Sequence, residues 1–244
     1  MDRRTLSVFA LLSALALSAG ADTLLTIKSH ADGFQLMGEA QPAKDTDVKV
    51  WVGATAVRRD EGDTSTILRL DRKKVYLVDH DGKTYSEVDL PVNLQKLAPA
   101  GGESAVAQLA KNMELNAQVT PGSETRKVGA WNARRVDVAI RSAMGMTIDT
   151  TMWVSKDLDV YRPLNQMAST LASLQPGAAG WARQLEQIDG FPVLQESNVS
   201  VVGTHFKTRE ELVSVATQEA PAGLYEPPAG YTARPFNPLA QAGR

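Results

Sequence analysis

No cysteine occurs anywhere in the 244 residues, so the fold has no disulfide to lean on and no thiol to carry a lipid. A chain of this length can do without, because roughly 70% of its unfolded surface is buried on folding. Neither sign of charge is in marked excess: 26 Lys and Arg stand against 28 Asp and Glu, a formal charge of −2. Without a basic surplus to neutralise phosphates, nucleic acid is not an expected partner. Histidine is scarce, with only His30, His80 and His205. There is no G-x-S-x-G elbow, no H-E-x-x-H pair, no phosphate-binding loop and no dinucleotide glycine fingerprint. The expectation is therefore a protein that is not an enzyme and holds no cofactor. Beyond the N-terminus no apolar run is long enough to cross a bilayer as a helix.

What is present begins with an export signal. Met1 to Arg4 are mostly charged, Thr5 to Leu17 are rich in Leu and Ala, and Ala19-Gly20-Ala21 offers small residues for cleavage. Residues 1–21 are predicted to be a cleaved signal peptide, the apolar run being too short to anchor across a ~30 Å hydrocarbon core. The mature chain is then expected in the periplasm, with the extracellular space as the alternative. Residues 22–218 show one core, no repeat and no linker, and are predicted to form one β/α domain. Residues 219–244 hold five of the 12 prolines and are predicted to be an extended tail anchored by Tyr225, Tyr231 and Phe236.

The body is written mainly as strands. From Arg69 to Pro91 the chain spells a hairpin: VYLVD over 75–79, TYSEV over 84–88, and His80-Asp81-Gly82 between them, with Asp-Gly supplying the positive φ of a tight turn. Leu24 to Ser29, Val48 to Ala56 and Thr64 to Leu70 read as earlier strands. Asn132 to Ile140 and Met146 to Val154 alternate apolar and polar residues, as an antiparallel sheet with one solvated face requires. Phe191 to Val202 and Glu210 to Thr217 complete the sheet, while Asn116 to Gly129 reads as loop or edge strand. Arg58, Arg59, Arg69, Arg72, Lys73 and Lys74 are interleaved with Asp60, Glu61, Asp63 and Asp71. That mixture predicts a solvated strand end, in preference to a membrane-surface patch.

Three helical stretches interrupt the strands. Val106, Leu109, Ala110 and Met113 share one face of a helix over 104–115. Leu164, Met167, Ala168, Leu171 and Leu174 share another, and Trp181, Leu185 and Ile188 a third. The last two form a helical hairpin whose apolar stripes need a surface, and the greasy face of the sheet is the one available. The inward candidates are Val50, Val52, Val138, Met146, Ile148, Met152, Met167, Leu171, Trp181 and Leu185. They form either a plain core or the lining of a ligand site, and methionine suits the second because it adapts to varied shapes. His80 between Asp79 and Asp81 is not an expected metal site, because neighbours on a strand diverge and Asp81 serves the turn.

The KKVYLVDHDGKTYSEVDLP hairpin and the closing YEPPAGY resemble a bacterial secreted family of unknown function. More broadly, the strand-rich plan with inserted helices is similar to the LolA/LolB-like lipoprotein-carrier superfamily. That resemblance implies a strongly curved antiparallel sheet, an incomplete barrel, with helices covering its concave face and acyl chains held in the hollow. Two functions follow as expectations: a binding protein for an apolar small molecule or acyl chain, or an envelope interaction or sensor module with a filled core and a protein partner.

Overall fold

The computed structural model describes residues 21–238 except 37, 143, 186 and 202. The predicted signal peptide, Ala21 apart, lies outside the described residues, as do Val202 of a predicted strand and residues 239–244 of the tail.

The chain opens with β1 (Asp22–Ala31), then a small separate hairpin, β2 (Phe34–Leu36) and β3 (Glu39–Gln41). A meander follows: β4 (Lys44–Val52), β5 (Ala56–Glu61), β6 (Thr64–Arg69), β7 (Lys74–Asp79) and β8 (Thr84–Asp89). After α1 (Glu103–Asn112) comes a second meander with longer strands: β9 (Leu115–Val128), β10 (Trp131–Ser142) and β11 (Thr147–Ser155). It is interrupted by α2 (Tyr161–Ser173) and α3 (Ala179–Leu185), and resumes as β12 (Phe191–Val201) and β13 (Thr204–Gln218). A two-residue strand, β14 (Thr232–Ala233), closes the order.

Both meanders belong to one sheet of twelve strands, and β1 joins them by pairing with β4 on one side and β13 on the other. Among the described residues every pairing is antiparallel except that of β14 with β8. The fold is thus mainly β with three helices, as the patterning predicts. The strong curl implied by the family resemblance is not found: the sheet is neither closed nor strongly curled. Its order ends at β14 on one side and β9 on the other, with no ladder among the described residues joining those ends. Bulges sharpen the bend of a sheet where they occur. Here register shifts fall at Thr26/Ile27, Arg134/Val136 and Trp153/Val154, while the ladders from β4 through β8 run without one.

Alternation along each strand separates two faces. On the inner face Leu25, Val48, Val57, Leu68, Val75 and Val88 are almost wholly buried, and they share a core with Leu164, Met167 and Leu174 of the helical segment. The outer face of β6–β8 carries Ile67, Tyr76 and Val78, and the tail covers it with Tyr225 and Tyr231. From there the tail rounds the edge of the sheet. Thr232 and Arg234 donate their amides to the carbonyls of Lys83 and Tyr85, and Phe236 enters the main core. The three predicted anchors all bear on the body, and the tail adds a short parallel ladder where only extended cover is predicted.

The charged run from Arg58 to Lys74 is the predicted solvated strand end only in part: Asp63, Asp71, Arg72 and Lys73 are exposed, but Arg58 and Arg59 are not. Val57-Arg58-Arg59-Asp60-Glu61 is strand, so its side chains alternate between faces. The Arg58 and Arg59 side chains keep only 11% and 22% exposure, each in an ion pair. No helix among the described residues is long and apolar enough to cross a membrane.

Candidate ligand cavity

Residues directly opposite each other in a ladder share a face, so the register lays out the floor beneath α2 and α3. Val136, Val138 and Ile140 of β10 face Met152, Thr150 and Ile148 of β11. Those in turn face Gln195, Ser197 and Val199 of β12, and beyond them lie Glu210 and Thr208 of β13. Across β1 and β4, Val50 is opposite Arg59 and Val48 is opposite Glu61. The floor is therefore apolar with a polar band across it.

Helix α2 forms the roof because Leu164, Met167, Ala168 and Leu171 recur at helical spacing on one side. Asn165 fixes it in place: its buried side-chain amide donates to the carbonyls of Ile188 (2.6 Å) and Gly190 (3.1 Å), tying α2 to the segment leading into β12. Gln184 of α3 donates to the carbonyl of Ala117 (2.7 Å), which fastens the second helix to the edge strand β9. Gly190 lies so close to β11 that an added Cβ would stand 2.6 Å from the Ser155 carbonyl oxygen.

Between floor and roof lies a cavity of about 550 Å³, within the ~300–1,000 Å³ usual for small-molecule sites. Seven of the ten candidates line it: Val50, Ile148, Met152, Met167, Leu171, Trp181 and Leu185. The other three do not. Val52 is buried in the main core, Val138 packs in the cluster under α3, and Met146 sits at the end of the β10–β11 turn with its amide on Ser142 Oγ. Parity in a strand places a side chain on a face but not at a depth along it, and depth decides here.

Sequence reasoning did not foresee the polar part of the wall. Arg59 donates to Glu61 (3.0 Å) and to Glu210 (3.1 Å), although β4 and β1 lie between its strand and that of Glu210. Burial works against the Arg59 charge, but the Glu210 and Glu61 carboxylates outweigh it and raise the pKa. Thr150 and Ser197 share a hydrogen bond of 2.9 Å on the same floor, and Gln195 and Thr208 stand beside them. An available signal was the inward parity of Val57, Arg59 and Glu61 once β5 is taken as a strand.

The histidines stay away from the cavity wall. His30 lies between Asp45 and Asp32 at the far end of β1, and His205 is exposed on β13. His80 Nε2 is 2.6 Å from the oxygen of Ser65, a pair that superficially suggests a nucleophile and its base. Yet Ser65 is 2% exposed, its Oγ accepts from Arg58 Nη2 (3.0 Å), and its proton goes to Asp60 (2.5 Å). With its proton on Asp60, the oxygen meets Arg58 Nη2 and His80 Nε2 as donors at its two lone pairs, so His80 is not placed to act as its base.

An open antiparallel sheet with helices roofing an apolar cavity on one face defines the class of protein. Within that class, the chain belongs to the family described as a domain of unknown function (DUF4412), whose model matches residues 37–231. No curated protein matches it. Among solved structures it is similar to PNGF-II at 13% identity and a TM-score of 0.41, over 90% of this chain and 32% of that one, so it spans about a third of that protein's length. It is also similar to a domain assigned to outer membrane lipoprotein sorting in Vibrio parahaemolyticus, at 7% identity and a TM-score of 0.28, over 81% of this chain and 86% of that one.

Proposed function

We propose that this protein is a non-enzymatic binding protein of the bacterial envelope that holds a lipid-like or other apolar molecule between its sheet and α2/α3. The envelope reading draws on the leader-like N-terminus, and a place in lipid or lipoprotein handling goes with it. The observation that carries the proposal is the cavity of about 550 Å³ walled largely by Ile, Leu, Met, Val, Phe and Trp side chains. The cavity is partly open to solvent, and an apolar molecule entering it takes apolar surface out of water at ~25 cal/mol per Å². Met152 and Met167 give the wall the adaptability that varied chains require. A ligand-free interaction module is best served by a filled core, and the cavity favours the binding reading over it.

Native mass spectrometry of protein purified without detergent should show an adduct of lipid mass, and Nile red should brighten on mixing with stripped protein. Protein that emerges clean and leaves Nile red unchanged overturns the proposal.

A further inference from the structure

The cavity wall carries charge in an unequal ratio. Among the described residues that line it Arg59 is the one cation, and Glu61 and Glu210 are both anions, so these three give the polar band a net charge of −1. The guanidinium is already committed to both carboxylates, at 3.0 and 3.1 Å. The group is well shielded at Arg59, 22% exposed, and opens toward solvent through Glu210 at 32% and Glu61 at 42%. The side chains of α2 and α3 that line the cavity, Leu164, Met167, Leu171, Trp181 and Leu185 among them, are apolar apart from Asn165, whose amide is spent on two carbonyls. A bound molecule therefore meets hydrocarbon at the roof and an acid-rich polar band on the floor.

We infer that the cavity selects an amphiphile with one apolar chain and a head of no net negative charge, its chain against α2 and α3 and its head against Arg59, Glu61 and Glu210. This rests on the lipid-binding reading above and narrows its ligand class. A carboxylate head would become a third anion around one guanidinium, in a partly enclosed space where water screens poorly. Its own pairing with Arg59 would take the guanidinium from Glu61 or Glu210 and leave that glutamate without its partner. A hydroxyl or ammonium head instead donates to the glutamate oxygens, with Gln195 and Thr208 within the same wall.

The test compares two probes with the same chain, 1-monooleoylglycerol and oleate, by displacement of Nile red at mildly alkaline pH and below the concentrations at which either aggregates. The wild-type protein should bind the glyceride about tenfold or more tightly than oleate. Glu210→Gln should narrow that gap, and Glu61→Gln with Glu210→Gln, which leaves Arg59 as the one charge among the described lining residues, should reverse it. Far-UV circular dichroism checks folding, and the single variant decides should the double one unfold. Equal affinity for both probes in the wild type, or a ratio unmoved by the folded variants, overturns the head-group inference while the apolar cavity stands. No uptake of Nile red or of either lipid overturns both readings.

Discussion

The phenol of Tyr231 lies 3.0 Å from Nδ1 of His80, joining residues 151 positions apart. The hydrogen-bond pattern assigns the protons. Ser65 gives its one proton to Asp60, so His80 Nε2 must donate to the Ser65 oxygen. In the neutral ring Nδ1 is then the acceptor, and Tyr231 donates to it. Arg58 completes the set by holding Asp60 (2.7 Å), Ser65 (3.0 Å) and the Leu224 carbonyl (2.8 Å). The hairpin and the tail, each distinctive in the sequence, are two halves of one contact.

That contact has a measurable strength. Tyr231→Phe keeps the ring on Tyr76 and Val78 and strands the His80 acceptor, which should cost ~1–2 kcal/mol. Phe236→Ala empties a core position that is 6% exposed, and should cost ~3–5 kcal/mol. Urea unfolding followed by circular dichroism measures both. A tail that is only a docking segment for another protein would leave the midpoint unmoved.

The joint between α2 and α3 should be equally intolerant. Gly177 has φ +82°, and an added Cβ would stand 2.2 Å from the carbonyl oxygen of Met113, beyond the end of α1. Backbone sits on that side, so the clash cannot be relieved by turning a side chain. Gly177→Ala is expected to lower stability by ~3 kcal/mol or more. Gly145→Ala, also at positive φ but with nothing within 4 Å, serves as the control with the smaller loss in thermal unfolding.

How much of this was legible depends on whether a feature is local. The strands of 75–79 and 84–88 and the helices of 161–173 and 179–185 follow from alternation and from 3.6-residue spacing. The β7–β8 turn was legible as a turn but not in its detail. Lys83, not Gly82, takes the positive φ there (+47°), and the Gly82 amide donates to the Asp79 carboxylate at 2.8 Å. β5 was hidden because both of its faces carry charge, one face bonding to the tail and the other facing the cavity. β9 was legible only as loop or edge strand, because Pro121 and Gly122 interrupt it; it is the edge strand, and it tolerates them at its register shift. Arg59 meeting Glu210 depends on the order β5-β4-β1-β13, which no local pattern encodes.

His30 should report the closure of β1 on β4. Its ring nitrogens contact Asp45 (2.7 Å) and Asp32 (3.3 Å), and these carboxylates, Asp45 first, raise its pKa above the ordinary 6.5. A raised folded-state value means that the charged form stabilises the fold. That contribution is complete below about pH 6.5 and is lost as the pH rises through the higher folded value. An NMR titration of the His30 ring protons should give a midpoint above 6.5, and Asp45→Asn should bring it down. A midpoint at or below 6.5 in the wild-type protein would mean that the pairs do not persist in solution.

Filling the cavity separates space kept for a ligand from a packing defect. Ala168 stands on the roof face of α2 among the lining residues, with Met167 before it and Leu171 one turn on. Ala168→Phe places a ring in the hollow without introducing a polar atom. Since fully burying an apolar side chain of that size contributes ~1.5–3 kcal/mol, the variant should be as stable as the parent or more so. If the space exists to be occupied, Nile red uptake and the lipid adduct should both disappear while the unfolding midpoint holds or rises. If the variant is stabilised and still takes up ligand as before, binding occurs elsewhere and the cavity is only loose packing.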